Sequence, residues 1–439
     1  MLWSRSLWTF SPADYQTMSK DDNRFTDPTL FRKNLEGLRS RIAPSRELAL
    51  ESLYTLSSSL SKVQISELLR AAVLEYPERP RADRPGYGAA LLDLLYGKVT
   101  LEDIVMYLRP PIKTLKPDAA WTSIDLVASI ATEASAREYV SLLKDRMSVA
   151  PFENIPLNSI FENPHAESVY FPALFEYAHK PEYRGPMLEL SHRFCEEERL
   201  EPEDLKPING LVYDSFDATW EPVKEAQQSS DGEWMWKEPY SDIRHGICLL
   251  LDLMGYMECE NSVERLRNAL ALPDPRLKMF AVLALVRLGE NVAVHELVSI
   301  AQSSETRNLL YDGLASRGRQ DLFPVEYSTQ EAFAESDMVN WLAYPTELGR
   351  PPSDLELMKV IFEEDEDGTR LRFYVWKFCM SDPHWASENG WMAAISGPFD
   401  LSEGPNTCPL GSTFSRFDKW DSYRPEQHLD RILELFDSE

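Results

Sequence analysis

The chain has 439 residues and a formal net charge of −27, with 72 Asp and Glu against 45 Lys and Arg. Nucleic-acid binding depends on Lys and Arg that displace counterions from the phosphates, so this balance argues against nucleic acid as a partner. Apolar residues make up 43 % of the chain, enough for a large core, yet no long apolar run predicts a membrane-spanning helix.

Cysteine usage and the start of the chain both predict a cytoplasmic protein. The five cysteines are odd in number and form no CxxC pair, which is typical of reduced thiols. The first residues, Met1–Pro12, contain two separated Trp and no apolar run that ends in small residues. This start is a poor signal peptide.

Residues 1–241 are predicted to be an irregular helical region made of degenerate helical pairs. Apolar residues follow a helical period there, but no motif repeats. The segments that carry this pattern are Arg46–Tyr76, Ala89–Leu108, Ala119–Asp145, Tyr170–Tyr177 and Pro186–Arg199. Within the last segment, His192 and Cys195 share one helix face and could donate two metal ligands. No second pair accompanies them, so we expect a packed Cys195 and a surface His192, and no metal site.

An aromatic segment ends this region and is a candidate partner-binding site. Trp234, Trp236 and Tyr240 follow the polar stretch Gln227–Gly232. Exposed Trp and Tyr are typical anchors of protein interfaces. The other interpretation is that Trp234 and Trp236 fold back and seal the end of the next region.

Residues 242–324 contain a repeated pattern, an apolar helical stretch that closes on glycine. A shift of 34 residues aligns Gly255 with Gly289, and a shift of 29 aligns Gly289 with Gly318. In the clearest copy, Asp274 is placed to cap a helix that starts at Pro275, and Gly289 is placed to end it. One apolar stripe follows, formed by Leu277, Phe280, Ala281, Ala284, Leu285 and Leu288.

The Asp-Pro-Arg start, the internal Ala residues and the Leu-Gly end of this copy resemble short HEAT-like repeats of about thirty residues. The consensus residues of tetratricopeptide and ankyrin repeats are absent. The resemblance covers roughly Asp242–Pro324 and implies an α-solenoid of stacked helical hairpins that presents a long surface to a partner. HEAT-like DNA glycosylases need a basic groove, and the charge of this chain argues against that function.

Residues 325–439 are predicted to form a small acidic α+β domain packed on the end of the solenoid. This segment carries 23 Asp and Glu against 9 Lys and Arg, or −14 of the net charge. Leu355–Phe362, Arg370–Met380 and Gly390–Phe399 have the branched and aromatic composition of strands, and Pro425–Phe436 is predicted to be an amphipathic helix.

The turn between the first two strands is the second candidate partner-binding site, formed by Glu363, Glu364, Asp365, Glu366 and Asp367. It imitates the first positions of an EF-hand loop, but Tyr374 stands where the bidentate Glu would be, so we expect a solvated turn. A strongly negative segment would steer a basic partner.

The tail also resembles that of bacterial HEAT-repeat proteins with a C-terminal domain of undefined function. Five strings carry this resemblance: Ala343–Pro352, Pro383–Ala386, Gly390–Ala393, Gly397–Phe399 and Phe417–Asp421. It implies a bacterial protein of helical repeats plus this domain, and it brings no catalytic residues.

No nucleotide-binding, zinc-protease or serine-hydrolase motif occurs in the sequence, so we expect neither an enzyme nor a cofactor. The leading prediction is a non-catalytic protein-binding module, more specifically a bacterial immunity protein that binds and neutralises a basic toxin. Two alternatives stay open. One is a scaffold or adaptor subunit of a larger complex, and the other is an enzyme related to HEAT-like bilin lyases.

Overall fold

The computed structural model describes residues 28–57, 60–79, 84–152, 155–157, 159–161, 163, 169–227, 234–236, 240–344, 347–364, 368–381, 390–400, 413–414 and 418–436. The described chain is mainly helical and carries a small antiparallel sheet near its C-terminus, which confirms the predicted class at this level. None of the described helices has the length and apolar character needed to cross a membrane.

The chain forms two compact units, Met1–Met187 and Leu188–Glu439. The first unit is helical in its described part, which agrees with the predicted helical segments. Its helices are α1 (Pro28–Gly37), α2 (Ala43–Leu56), α3 (Lys62–Ala72), α4 (Tyr87–Asp93), α5 (Leu101–Tyr107), α6 (Pro117–Ala128), α7 (Glu133–Met147) and α8 (Phe171–Ala178). Helix α9 (Pro181–Glu196) contains the boundary.

Local capping determines where several helices of the first unit begin. Ser61, Thr100 and Thr132 each accept a hydrogen bond from the backbone amide three residues later. The side chain at that later position bonds back to the amide of the capping residue, which forms a capping box. These reciprocal bonds satisfy amide groups that would otherwise lack a partner at the starts of α3, α5 and α7.

The second unit continues with further helices, and those between residues 240 and 315 coincide with the region of the predicted repeats. The further helices are α10 (Pro202–Leu205), α11 (Asn209–Gln227), α12 (Tyr240–Met254), α13 (Glu260–Ala269), α14 (Pro275–Arg287), α15 (Val294–Gln302), α16 (Arg307–Ala315) and α17 (Gln330–Leu342). Asp274 caps α14 by accepting bonds from two amides, as predicted. Helices α11 and α17 were not predicted from the sequence.

The repeated glycines have two different functions. Gly289 and Gly318 have φ values of +74° and +65°, the left-handed conformation that glycine adopts at low cost after a helix. Gly255 instead allows a close approach, because a Cβ there would lie 2.8 Å from the Cα of Ala284 on α14. The first glycine of the pattern therefore packs two helices together, whereas the later two end helices.

The C-terminal sheet has the order β1-β2-β3-β4 and is antiparallel throughout. Its strands are β1 (Asp354–Glu364), β2 (Arg370–Cys379), β3 (Met392–Asp400) and β4 (Thr413–Phe414), and α18 (Pro425–Phe436) follows. The three predicted strands and the closing helix are therefore confirmed. Apolar side chains of α17 pack on one face of the sheet, and those of α18 pack on the other.

Helix α17 links the sheet to the preceding helices within this unit. Phe333 belongs to the core formed with α14, α15 and α16. Ala334, Met338 and Leu342 belong to the core shared with the sheet. The apolar cores of the hairpins and of the sheet thus meet at one helix.

Candidate functional site

A groove of about 870 Å³ lies in the second unit beside the turn between α12 and α13. Its walls come from α13, from the C-terminal end of α14 and from the segment that precedes α10. We call it the glutamate groove and define it by its lining residues: Leu200, Pro202, Gly255, Tyr256, Glu258, Cys259, Glu260, Val263, Glu264, Arg267, Arg287, Leu288 and Glu290.

The rim of the groove is acidic. Glu258, Glu260 and Glu264 are exposed, and no salt bridge joins them to other described residues. The fourth carboxylate, Glu290, is paired with Arg267 at 2.6 Å. Three carboxylates therefore face solvent around the groove without a neutralising cation from the described chain.

The floor of the groove is aromatic and apolar. The guanidinium of Arg287 lies 3.7 Å from the centre of the Tyr256 ring. A cation so close to an aromatic face is attracted to the ring and held in place. Leu288 and Val263 add aliphatic surface. A ligand in the groove would meet an aromatic ring, aliphatic side chains and the Arg287 guanidinium, whose charge Asp252 balances, inside an acidic rim.

A buried ion cluster fixes Arg287 from beneath. Oδ1 of Asp252 accepts a hydrogen bond of 2.7 Å from Arg287, and Oδ2 lies 2.7 Å from Nε2 of His192. Arg317 approaches the same carboxylate at 3.6 Å. Burial opposes the charge of Asp252, but the His192 bond and the Arg287 charge outweigh it and lower the pKa of this carboxyl far below its ordinary value.

The cluster has acidic groups on both sides of the imidazole. Nδ1 of His192 lies 3.6 Å from Glu196, while Nε2 faces Asp252. One ligand atom from each of His192, Glu196 and Asp252 lies within 4.8 Å of the others, but Oδ1 of Asp252 already accepts a hydrogen bond from Arg287. The charges of Arg287 and Arg317 would also repel a cation beside Asp252. We interpret the cluster as a network that positions the groove floor.

His192 and Cys195, the pair for which the sequence predicts no metal site, have different environments. Cys195 is buried, and burial raises the pKa of its thiol to about 12, so the prediction of a packed cysteine is confirmed. The prediction of a surface histidine is wrong, because the side chain of His192 is only 15 % exposed and lies in the ion cluster. Its partner Asp252 is 60 residues away in sequence, so no local pattern could identify the pair.

The predicted aromatic residues lie at the start of α12 and outside the lining of the glutamate groove. The Trp234 ring meets Tyr240 edge-on with centroids 4.6 Å apart, and Arg244 lies 4.8 Å from the centre of the Trp236 ring. Tyr240 is 2 % exposed and donates a hydrogen bond of 2.9 Å to Asp274. The two Trp residues are half-buried, so part of their surface is available to a partner, whereas the buried Tyr240 offers none.

The predicted acidic turn follows β1. Glu363 and Glu364 form the last two positions of that strand and are exposed. Asp365, Glu366 and Asp367 lie outside the described residues. The structure thus places the two candidate sites on separate elements, one before α12 and the other at the end of β1.

The glutamate groove was not predicted from the sequence. Its strongest local signal is the segment Glu258–Glu264, where three glutamates follow closely after the first glycine of the repeat pattern. The concave shape depends on α14 and on Leu200, which are distant in sequence from Glu258–Glu264. Local sequence patterns therefore could not predict the groove.

Comparison with known proteins finds no relatives for this chain. A scan against protein-family models gives no match, and searches of curated proteins and of solved structures give none either. The functional argument therefore depends on the geometry of the site itself.

Proposed function

We propose that this chain is a protein-binding module and that the glutamate groove forms part of its binding surface. More specifically, we propose that the chain is a bacterial immunity protein that binds and neutralises a basic toxin. The observation that carries the proposal is the combination of three exposed, unpaired carboxylates with an apolar floor. Such a surface matches a protein segment in which Lys or Arg alternates with apolar residues.

The groove floor is prepared for binding before a partner arrives. Arg287 is fixed by the Asp252 carboxylate and by its stack on Tyr256. Side chains that are already ordered lose less conformational entropy when a complex forms. The ion cluster therefore supports affinity without touching the partner.

We further propose that the helices form a HEAT-like solenoid. Support comes from side-chain bonds that recur between residues about thirty positions apart. The first unit contains the pairs Gly86–Asp118, Tyr96–Asp125, Arg109–Glu138 and Lys113–Arg146, and the second contains Arg244–Asp274, Asp252–Arg287 and Arg307–Glu335. The separations of these pairs lie between 28 and 35 residues, and such similar separations are expected where each hairpin packs on the next.

The distribution of charge supports a basic partner. Val325–Glu439 carries −14 of the net charge of −27 and would accelerate the approach of a cation-rich protein at low salt. Toxins that degrade nucleic acids are commonly basic, because they must approach phosphates. Cys195, Cys248, Cys259 and Cys379 are free thiols, which suits an inhibitor that acts in the cytoplasm.

The proposal is tested by affinity capture of the tagged full chain from its host, at about 0.05 M and about 0.5 M salt because screening weakens exposed charge pairs. We expect one stoichiometric basic protein that is released at high salt. A captured protein that arrests growth when expressed alone, and not when co-expressed with this chain, would establish neutralisation.

Two outcomes would contradict the proposal. Many partners that persist at high salt would indicate a scaffold instead of an inhibitor. A single acidic partner would remove the argument from charge, because like-charged surfaces repel and the groove would then lack its complement.

A further inference from the structure

The outer edge of β1 is a second surface with features of a binding site. The strand is at the end of the sheet order, and its inner edge pairs with β2 along its full length. In the part of the chain that the structure describes, no strand pairs with the outer edge. Backbone amides and carbonyls along an unpaired edge are a template for another strand.

One half of this edge is regular and the other is irregular. The register with β2 shifts between Leu357 and Lys359, which marks a bulge at Met358. From Lys359 to Glu364 the pairing is uninterrupted. Bulges obstruct strand addition, so an incoming strand would fit Lys359–Glu364 better than the first half of β1.

The regular half also leaves apolar surface uncovered. Val360 and Ile361 pack on opposite faces of the sheet and are only half-buried, because no neighbouring strand covers their outer sides. Phe362 is 52 % exposed. An added strand would cover these side chains, in the same way as the inner strands cover one another.

Charge determines the kind of strand that would fit. Lys359 is already paired with Glu426 of α18. Glu363 and Glu364 are exposed, and no salt bridge joins them to other described residues. The sequence continues with three more acidic residues, so the end of β1 begins a run of five. A strand with Lys or Arg at the matching end would find opposite charges there.

A second copy of this chain fits poorly. Antiparallel pairing of two Lys359–Glu364 segments would place Lys359 of one copy opposite Glu364 of the other, but Lys359 is already paired with Glu426, so Glu364 would gain no free cation. Parallel pairing in register would place every acidic residue opposite its own copy. Like charges directly opposite each other are destabilising, so charge complementarity favours a different, basic chain.

We propose that Lys359–Glu364 of β1 is a docking edge for an extended basic segment of another protein, which adds to the sheet as an outer strand. Main-chain hydrogen bonds provide the attachment, and Glu363 and Glu364 select a basic sequence. This inference does not depend on the glutamate groove, which is formed by other elements of the unit.

The probe for this edge is a short fluorescent peptide of alternating Lys and Val, titrated into the full-length protein at about 0.05 M salt. The matched control peptide has the same side chains but is N-methylated at alternate residues, so it cannot pair as a strand. We expect the methylated peptide to bind at least about tenfold more weakly, and hydrogen exchange to slow at 359–364 when the unmodified peptide binds.

Variants separate strand docking from general attraction to an acidic protein. Glu363→Lys with Glu364→Lys should weaken peptide binding about tenfold. The control pair Glu225→Lys with Glu326→Lys changes the net charge equally at other exposed positions and should leave binding within about threefold of wild type. Reversal of Glu258, Glu260 and Glu264 to Lys removes the binding that the groove itself could offer to this peptide, and slowed exchange at 359–364 should persist in that variant.

Four results would overturn the proposal. The methylated peptide could bind as well as the unmodified one, the two paired charge reversals could weaken binding equally, or exchange could slow only at the groove. A dimer in sedimentation whose formation slows exchange at 359–364 would also overturn it, because the edge would then belong to a second copy.

Discussion

The hairpin helices α12–α16 and the terminal sheet with its two covering helices are joined in one unit, yet different interactions stabilise them. Between hairpins, charged groups are buried: Arg244 bonds Asp274 through two nitrogens, and both side chains are almost inaccessible. The hairpins also have an apolar core, and both faces of the sheet are covered by apolar clusters, but the described ion pair between β1 and β2 is not buried. A polar link within the sheet core runs from Trp376 to Ser396 and on to a carbonyl of α17.

This difference shows how each region achieves specificity. Apolar contacts tolerate small shifts, whereas a buried ion pair is stable only in one register, because a displaced partner leaves an uncompensated charge. We infer that the buried charges fix how successive hairpins stack. The hairpins should therefore respond to changes in charge and pH, and the sheet should respond to changes in side-chain volume.

The largest expected effect is the creation of a cavity in the sheet layer. Phe378 is fully buried between the sheet and α17. Phe378→Ala should lower the free energy of unfolding by about 4 kcal/mol, and Phe378→Leu by about half as much. Urea unfolding followed by circular dichroism measures both. Equal losses for the two variants would contradict the argument from side-chain volume.

Loss of one partner of the buried ion pair should have the next largest effect. Asp274→Ala leaves Arg244 with Glu305 as its remaining carboxylate partner among the described residues and also removes the cap of α14, so we expect a loss of about 3 kcal/mol. The double variant Arg244→Met with Asp274→Leu should recover at least half of that loss, because no unpaired charge is left at either position. A double variant less stable than Asp274→Ala would show that the pair itself stabilises the hairpins.

Asp252→Asn tests whether the cluster below the groove acts through charge. The pKa of Asp252 is depressed in the folded chain, so its ionisation stabilises the fold above the unfolded pKa of about 3.9, and this stabilisation is lost as the pH falls further. The variant should be less stable than wild type by about 2 kcal/mol near pH 7, and this difference should shrink below about pH 4.

Unfolding of both proteins in urea between about pH 3 and pH 7 measures that difference. Asp430→Asn, at an exposed position of α18, is the control and should show no comparable trend. A difference that stays constant down to pH 3 would show that Asp252 acts through shape or hydrogen bonding alone.

The smallest expected effect has the opposite dependence on pH. Burial, and then the nearby charge of Asp312, raise the pKa of Asp337 to about 7, although a hydrogen bond from Asn308 opposes the shift. Because the pKa is raised on folding, protonation of Asp337 stabilises the fold. This stabilisation is complete below the pKa of the unfolded chain and is lost as the pH rises through about 7. Asp337→Asn cannot ionise and should gain stability relative to wild type as the pH rises.

Because Asp337 is half-buried, we expect this relative gain to be about 1 kcal/mol between about pH 5 and pH 8. Thermal unfolding of the two proteins across that range measures it. A difference that is flat, or that favours the wild type at pH 8, would contradict the interpretation.

The elements that the sequence predicted well are those with a clear local signal. Asp274 and Pro275 define the start of α14, and Gly289 defines its end, so that helix was predictable to within a residue or two. Strand β2 was predictable because its apolar residues are buried on both faces. Each of these elements has the same kind of surroundings along its whole length, so the spacing of its apolar residues predicts its structure.

Helix α17 was missed because two environments act on it. Phe333 faces the hairpins, while Met338 and Leu342 face the sheet, so its apolar residues do not form one stripe. Helix α11 was missed for another reason, since Gly210 and Pro222 lie within it and are expected to interrupt a helix. The ion cluster and the groove combine residues from distant helices, and no local pattern contains that information.

The central claim is that a basic protein binds the glutamate groove, and charge reversal at the groove tests it most directly. Glu258, Glu260 and Glu264 are changed together to Lys, and the control changes Glu225, Glu326 and Asp430 to Lys at other exposed positions. Affinity for the captured partner is measured by titration calorimetry. We expect the groove variant to bind at least about a hundredfold more weakly and the control to stay within about tenfold of wild type. Equal weakening of both variants, or no weakening of the groove variant, would contradict the claim.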